Sequence, residues 1–262
     1  MCLSSCEDVV NVKLDQGPTE LVVDGCITDR SIPDTITLTT TAAYFENQST
    51  PKVSGAKVIL TNSEGAIEIL NEVKQGKYLV QTIKSKVGTN YTLNIEFDGE
   101  KYEAKTEAMR SGFRLDALTF EFKKKSAFID EDGYLMKMNG QELEGKGDAN
   151  RFRVIKNGVY LPQEIRIWND DYVDGNYIKD ADFYTKKPFK LGDIVTLETY
   201  SITQDAFHFY DELDKQIHNG GLFANPPANV RTNVKNVNPN STKKAVGYFG
   251  ASLVTTITGV VK

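Results

Sequence analysis

The first part of the chain consists of short β-type segments that follow one another about every ten residues. They are rich in Val, Ile, Thr and Tyr, and turn-forming residues separate them. This pattern predicts a β-sandwich, because each short strand has to bury one face against another sheet. The predicted strands are residues 20–28, 35–41, 56–62, 66–70, 77–84, 90–97 and 101–106.

One hairpin in this region is specified by its turn. Asp98-Gly99 stands between two β-type segments, and both residue types accept the positive φ that a tight two-residue hairpin requires.

A second signal is Pro51-Lys-Val-Ser-Gly-Ala-Lys-Val-Ile-Leu-Thr61 followed by Gly76-Lys-Tyr78. These segments resemble the small transthyretin-like or carboxypeptidase-regulatory-like β-sandwich. The resemblance implies structural roles only: Gly55 in a turn, Val58 and Leu60 facing the core, and Tyr78 packing across it.

The pattern resets between residues 104 and 112, and a second unit follows. Its predicted strands are residues 113–122, 134–139, 151–156, 164–168, 194–201 and 246–260, with a loop at 140–147. Residues 203–219 instead have apolar side chains at helical spacing, with Thr203 as N-cap. We therefore predict an all-β protein: a polar N-terminus at 1–17, an Ig- or transthyretin-like β-sandwich at 18–108, and a larger antiparallel β-domain at 109–262. The larger domain, a sandwich or an open barrel, carries one packed helix.

The N-terminal segment indicates a lipid anchor. Leu3-Ser-Ser-Cys6 fits a lipobox, in which small residues precede the cysteine that is acylated. We expect acylated Cys6 to hold the chain in a lipid bilayer, because several acyl chains together make a stable anchor. The alternative is an unmodified start with stray cysteines. Cys26 is expected to be a buried strand residue.

The sequence carries none of the common catalytic motifs. The sequence has no GxSxG, HExxH, Walker loop or dinucleotide fingerprint. The two histidines, His208 and His218, lie about 80° apart around the predicted helix and three turns along it, so they do not share a metal. We therefore predict a protein that is not an enzyme and has no cofactor or metal. The net charge of −5 argues against a nucleic-acid partner.

The best binding candidate is the acidic and aromatic segment at residues 168–182. It carries Trp168, Asp170, Asp171, Tyr172 and Tyr177, and flat rings among polar groups are typical of ligand or partner contacts. The alternative is that these rings pack an ordinary core. Five aspartates around a glycine also leave Ca²⁺ binding open, although the spacing is not that of an EF-hand.

A proline-rich segment is the second candidate. It carries Asn225, Pro226, Pro227 and Asn229, and a loop fixed by proline can pre-organise a contact surface. Its alternative is a structural crossover buried against the helix.

Several segments in sequence order resemble a family of Bacteroidota lipoproteins that is catalogued only as a domain of unknown function, number four-two-four-nine. The resemblance covers about residues 3–262. The segments that carry it are the Cys6 start, Leu21-Val-Val-Asp-Gly25, Asp148-Ala-Asn-Arg-Phe-Arg153, Phe189-Lys-Leu-Gly-Asp-Ile-Val195, Phe207-His-Phe-Tyr210, Gly221-Leu-Phe-Ala-Asn-Pro-Pro-Ala-Asn229 and Val246-Gly-Tyr-Phe-Gly-Ala-Ser252.

The resemblance implies an outer-membrane lipoprotein, lipid-anchored at the cell surface and commonly encoded beside a TonB-dependent receptor. By analogy, it implies an accessory binding component of a TonB-dependent nutrient-uptake system, with that receptor as partner and a small molecule, glycan or peptide as ligand. Two alternatives stay open, a carbohydrate-active or other hydrolase and a structural or adhesive surface lipoprotein. The chain departs from the family at Cys26, where an aromatic residue is expected, and at Arg231-Thr-Asn233, where a glycine is expected.

Overall fold

A computed structural model describes residues 17–42, 49–127, 129–162, 165–183, 185, 187–219 and 228–262. This part of the chain is all-β with one helix, as predicted. The strands are β1 (Leu21–Thr28), β2 (Asp34–Thr40), β3 (Lys57–Asn62), β4 (Ile67–Lys74), β5 (Lys77–Val80), β6 (Asn90–Phe97), β7 (Glu100–Glu107), β8 (Phe113–Lys123), β9 (Gly133–Glu142), β10 (Ala149–Lys156), β11 (Val159–Tyr160), β12 (Arg166–Asn169), β13 (Tyr177–Phe183), β14 (Ile194–Ile202), β15 (Val234–Asn236), β16 (Ala245–Ser252) and β17 (Val254–Val260), and the helix is α1 (Gln204–Ile217).

Nine strands form the first sheet, in the order β15-β7-β6-β3-β4-β5-β2-β1-β16. Its pairs are antiparallel except β1 with β16, which run parallel from Leu21 opposite Ala245 to Thr28 opposite Ser252. The two ends of the sheet approach each other, so the sheet is nearly closed like a barrel. This shape is loosely consistent with the predicted sandwich.

The first core fills this curved sheet. Alternate residues of β6 point inward, and Tyr91, Leu93 and Ile95 are almost fully buried. Val58 and Leu60 of β3 also face this core, as predicted. The predicted roles of Gly55 and Tyr78 are confirmed as well. Gly55 has a φ of 76°, and the buried Tyr78 hydroxyl accepts a hydrogen bond from Ala56 N at 2.9 Å and donates one to Val53 O at 3.3 Å.

The second unit has two further antiparallel sheets. One has the order β11-β10-β14-β17, with β12 also paired to β10, and the other has the order β13-β9-β8. Their facing sides share a second core of buried side chains, namely Phe113, Met136, Met138, Phe152, Val154, Phe183, Phe189, Val195, Leu197 and Val261. This arrangement agrees with the predicted larger antiparallel unit.

Helix α1 begins as predicted. The Thr203 hydroxyl accepts a hydrogen bond from Ala206 N at 3.1 Å, which satisfies one of the free amides of the first turn. Asp205 lies in that turn, where its charge suits the helix dipole. Ala206 and Phe209 are buried against Tyr200, Ile202 and other residues of a third core. No helix within the described ranges is long and apolar enough to cross a bilayer.

Several predicted boundaries are wrong, among them the end of β4, which continues to Lys74 where the prediction ended at residue 70. Three others differ for identifiable reasons. The strand predicted at 77–84 ends at Val80, because the Glu68 carboxylate accepts the amides of Gln81, Thr82 and Ile83 in place of a strand partner. The loop predicted at 140–147 begins later, since β9 continues to Glu142. The strand predicted at 246–260 is two strands, β16 and β17, that lie in different sheets.

Hydrogen bonding also crosses residue 108, the predicted division of the chain. Strands β15 and β16 come from the C-terminal part of the chain but belong to the first sheet. The chain then passes at Leu253 into the second unit, where Ser201 N donates to Leu253 O at 3.0 Å. The division into domains at 18–108 and 109–262 therefore stays a prediction, and the first sheet uses residues from both sides of it.

Candidate functional site

The acidic and aromatic segment at 168–182 is divided by the structure. Trp168 belongs to β12 and packs edge-on against Phe152, with ring centroids 5.5 Å apart. It is part of the second core, which favours the packing alternative for this ring. After a turn at 170–175 the segment continues as β13, a strand that the sequence did not predict.

Two tyrosines of the segment are exposed, Tyr172 in the turn and Tyr177 at the start of β13. Tyr172 is 94% exposed and Tyr177 is 53% exposed. Asp171 is exposed beside them and accepts a hydrogen bond from Asn169 Nδ2 at 2.6 Å. These three residues are available for contact, and their role in binding stays a prediction.

Asp170 differs from its neighbours because it is buried. Its Oδ2 accepts hydrogen bonds from Gly147 N at 2.7 Å and from Asp148 N at 2.9 Å. The side chain thus fixes the turn against the loop that precedes β10. The remaining aspartates of the segment are not buried with it, so the segment alone does not form a calcium loop.

Asp170 belongs instead to a buried acidic cluster with Glu142 and Asp148. Each of the three residues brings an oxygen within 4.8 Å of the other two. Arg110 pairs with Asp148 in a two-point ion pair, Nε to Oδ1 at 3.1 Å and Nη2 to Oδ2 at 2.6 Å. The sequence did not reveal this cluster, because its members are 6 to 28 positions apart and only the sheet packing brings them together.

Glu142 is the least satisfied member of the acidic cluster. Its Oε2 accepts a hydrogen bond from Gly175 N at 2.6 Å, whereas its buried Oε1 has no hydrogen-bond partner within the described ranges. Burial raises the pKa of the Glu142 carboxyl. The Gly175 hydrogen bond lowers that pKa, and the charges of Asp148 and Asp170 raise it further.

A cavity of about 540 Å³ lies between α1 and the adjoining edges of two sheets. Its walls come from α1, β1, β10, β16 and the segment after the helix, and they are mainly apolar. The lining residues are Val22, Val23, Asp24, Arg151, Ile165, Phe209, Tyr210, Leu213, Gln216, Ala228, Asn229, Val230, Val246, Gly247 and Tyr248. Its size and lining are typical of sites for small ligands.

Two polar side chains meet in the wall of this cavity. Arg151 Nη1 donates a hydrogen bond to the Tyr210 hydroxyl at 2.8 Å, and the guanidinium carbon lies 4.3 Å from the centre of the Tyr210 ring. Burial raises the pKa of Tyr210 to about 12, so the phenol is neutral at pH 7. The pair supplies a positive charge and a phenol to a mainly apolar wall that also includes Asp24, Gln216 and Asn229.

Of the predicted site residues that the structure describes, Asn229 lines this cavity. Asn225, Pro226 and Pro227 lie outside the described residues, as does Cys6. The sequence indicated the helix that forms one wall. It did not indicate that Arg151, Tyr210 and Asn229 would meet, since that depends on how β10 and β16 pack beside the helix.

A strip of exposed apolar side chains runs along β4. Ile67 is 71% exposed, Ile69 is 65% exposed and Val73 is also exposed. In the sheet, Ile69 pairs with Ile59 of β3, and Asn71 pairs with Leu79 of β5. We call Ile67, Ile69 and Val73 the β4 strip. The exposed Asn71 lies between Ile69 and Val73 in the strand. Exposed apolar groups close together along a strand are a candidate surface for contact with another macromolecule.

Comparison with known proteins gives one family. The family model described as "Domain of unknown function (DUF4249)" matches residues 7–258. The chain belongs to this family. The resemblance seen in the sequence is therefore confirmed. The matched range includes the residues of the acidic cluster, the cavity and the β4 strip.

Other comparisons add little for this DUF4249 chain. No curated protein matches it. A solved structure entitled "Biofilm associated protein - BSP domain" is similar at 13% identity and a TM-score of 0.25, over 69% of this chain and 26% of that one. The chain thus spans about a quarter of that protein's length.

Four of the segments that suggested the DUF4249 family lie at the cavity. Leu21-Val-Val-Asp-Gly25 forms part of β1, Asp148-Ala-Asn-Arg-Phe-Arg153 enters β10, Phe207-His-Phe-Tyr210 lies in α1, and Val246-Gly-Tyr-Phe-Gly-Ala-Ser252 forms most of β16. Each of these four segments contributes at least one lining residue.

Proposed function

We propose that this protein is a binding component of an outer-membrane uptake system and acts without catalysis. In this proposal acylated Cys6 anchors it at the cell surface, a TonB-dependent receptor is its partner, and the cavity beside α1 holds the ligand. The observation that carries the proposal is the cavity itself, which gathers four separate segments around a mainly apolar volume of about 540 Å³.

The lining narrows the chemistry of the ligand. Phe209, Leu213 and Val230 offer apolar contact, and Arg151 offers a positive charge. Among the described residues only the Tyr210 hydroxyl accepts a side-chain hydrogen bond from that guanidinium. A molecule with an apolar body and one anionic or hydrogen-bond-accepting group fits this wall. Burial of the apolar body supplies affinity, and the polar group supplies orientation.

The β4 strip is the proposed surface for the receptor. It lies on the outer side of the first sheet, whereas the cavity lies beside the helix at the junction of the sheets. Separate surfaces allow ligand and receptor to be bound together, as an uptake accessory requires. Burying Ile67 and Ile69 against a partner would remove their apolar surface from water, which is favourable at about 25 cal/mol per Å².

The test is co-purification from the native membrane. The tagged, full-length, lipidated protein is solubilised gently, and the proteins that accompany it are identified and quantified. We expect a TonB-dependent receptor in near-equal amount. Ile69→Lys should reduce its yield several-fold, because a charge would then be buried in the contact. Val159→Lys is the matched control, since Val159 is 66% exposed but lies on β11, in another sheet.

Two results would contradict the proposal. One is recovery of the protein alone under conditions that preserve other receptor complexes, and the other is equal loss of the receptor by both lysine variants. Of the alternatives, a hydrolase has less support: the carboxyl with a raised pKa, Glu142, is buried in the acidic cluster and does not line the cavity. A structural or adhesive lipoprotein would not need the cavity.

A further inference from the structure

The buried acidic cluster carries more negative charge than its protein partners neutralise. Glu142, Asp148 and Asp170 are each at most 4% exposed. Arg110 supplies one positive charge to three carboxylates, which leaves two negative charges when all are ionised. Burying an uncompensated charge is costly, so such a cluster needs either protons or a cation.

One oxygen of the cluster shows where the compensation is missing. Glu142 Oε1 is buried and has no hydrogen-bond partner among the described residues, while Oε2 of the same carboxylate is held by Gly175 N. The carboxylate is thus oriented by the backbone and still lacks a partner on one side. Oxygens of Asp148 and Asp170 lie within 4.8 Å of this carboxylate, and their negative charges repel it.

We propose that Glu142, Asp148 and Asp170 bind a calcium ion. The donors are all oxygens, which hard cations such as calcium and magnesium prefer. Zinc prefers sulfur and nitrogen donors, and this cluster offers neither. Magnesium keeps several of its waters, whereas calcium accepts an irregular shell and dehydrates more readily. Each Asp148 oxygen accepts from Arg110 and retains a further lone pair for a cation.

The proposed ion would join three parts of the second unit. Glu142 ends β9, Asp148 immediately precedes β10, and Asp170 follows β12 and begins the turn. Asp170 O accepts hydrogen bonds from Val173 N and Asp174 N, both at 3.1 Å. Calcium would therefore hold the turn that exposes Tyr172. This inference does not depend on the proposed uptake function.

The test uses the full chain, stripped with EDTA at pH 7. Thermal unfolding is followed with and without about 10 mM calcium, roughly ten- to a hundredfold above the dissociation constants typical of extracellular calcium modules. We expect the melting temperature to rise by about 3–10 °C. Glu142→Gln, which has nearly the same shape, should abolish the rise. Glu144→Gln is the control, because it removes one exposed charge from the adjacent loop and should keep the rise.

Terbium luminescence gives a second measurement that needs no variant. Tb³⁺ occupies oxygen-rich calcium sites, and Trp168, the one tryptophan of the chain, lies two residues before Asp170 and can sensitise it. We expect emission on tryptophan excitation that calcium displaces and magnesium displaces at least tenfold less well.

Three outcomes overturn the proposal: no calcium-dependent shift together with no displaceable emission, an equal shift in Glu142→Gln, or loss of the shift in Glu144→Gln. A Glu142→Gln variant that is more stable than wild type and insensitive to calcium, with no displaceable emission in the wild type, would instead assign a proton to the cluster.

Discussion

The side chain of Asn233 and the backbone of Phe249 exchange two hydrogen bonds. Nδ2 donates to Phe249 O at 2.7 Å, and Oδ1 accepts from Phe249 N at 3.0 Å. Nδ2 also donates to Lys105 O at 3.0 Å. Asn233, which immediately precedes the end strand β15, therefore links β7 to β16, the strand at the other end of the first sheet. The segment Arg231-Thr-Asn233 was expected to hold a glycine, which has no side chain to make this link.

This link predicts a stability effect. Asn233→Ala should lower the free energy of unfolding by about 1–3 kcal/mol, because backbone groups of Phe249 and Lys105 lose their partners. Urea unfolding followed by circular dichroism measures it. Asn240→Ala, in an exposed turn, is the control and should stay within about 0.5 kcal/mol of wild type. Equal midpoints for the two variants would show that Asn233 does not close the sheet.

The parallel pair of β1 and β16 depends on a glycine. Gly247 has a φ of 93°, and a Cβ added to it would lie 2.0 Å from Val23 O in the paired strand. Gly247→Ala therefore meets both backbone strain and a clash with main chain that cannot move aside. We expect a loss of about 3 kcal/mol or more, or failure to accumulate as soluble protein.

The same strand supplies the control for Gly247. A Cβ at Gly250 would meet only Cys26 Sγ, at the ordinary contact distance of 3.7 Å. Gly250→Ala should thus have nearly the stability of wild type. Thermal unfolding of the two variants and of wild type measures the difference. If both variants unfold at the same temperature, the close approach of β1 and β16 at Gly247 is not a constraint on the fold.

The ion pair of Lys156 with Asp193, just before β14, predicts that the stability of the fold depends on pH. Partial burial disfavours the Asp193 carboxylate. Hydrogen bonds from Lys156 Nζ at 2.7 Å, Lys190 N at 2.7 Å and Asn157 Nδ2 at 2.8 Å outweigh that cost. Together they lower the pKa of Asp193 from its ordinary 3.8 to about 2. The carboxylate thus stabilises the fold above pH 4, and this contribution is lost as the pH falls toward 2.

Asp193→Asn should accordingly lower the free energy of unfolding by about 1–2 kcal/mol at pH 7, a value already reduced for solvent screening. The difference from wild type should shrink below pH 4 and be small near pH 2. Urea unfolding at a series of pH values measures it, with the exposed Asp130→Asn as control. A difference that is constant with pH would contradict an electrostatic origin.

Local pattern predicted much of this fold. The hairpin at Asp98-Gly99 has the positive φ values of 51° and 75° that its residue types indicated, and Thr203 caps α1 as expected. Both features depend on neighbours in the chain. The short strands β11, β13 and β15 were missed because their pairing partners, rather than their own apolar pattern, define them.

The candidate site was less predictable for the same reason. Asn229 was predicted as a site residue because it lies in a proline-rich loop. Two other polar lining residues, Arg151 on β10 and Tyr210 on α1, are 59 positions apart in the sequence. Trp168 was selected as one of several rings that stand among polar residues, and it packs on Phe152 in the second core. Side-chain type indicates what a residue can bind, whereas the packing of sheets decides which residues reach solvent together.

Ligand binding in the cavity can be tested before the natural ligand is known. Anilinonaphthalene sulfonate combines apolar rings with an anionic group, the chemistry that the wall around Arg151 and Tyr210 suits. We expect its fluorescence to rise on binding to the native protein. Leu213→Trp places a larger side chain on the lining and should weaken binding roughly tenfold, which corresponds to about 1.4 kcal/mol.

The matched control is Ile217→Trp, which makes the same kind of change one helical turn away, at a residue that is 63% exposed and does not line the cavity. It should bind the probe as wild type does. Both variants must show native circular dichroism, because a loosened core would also bind the probe. Equal binding by both variants would show that the probe binds outside the cavity. The ligand-binding part of the proposed function would then lose its support. Receptor docking through the β4 strip would remain testable, because it involves a different surface.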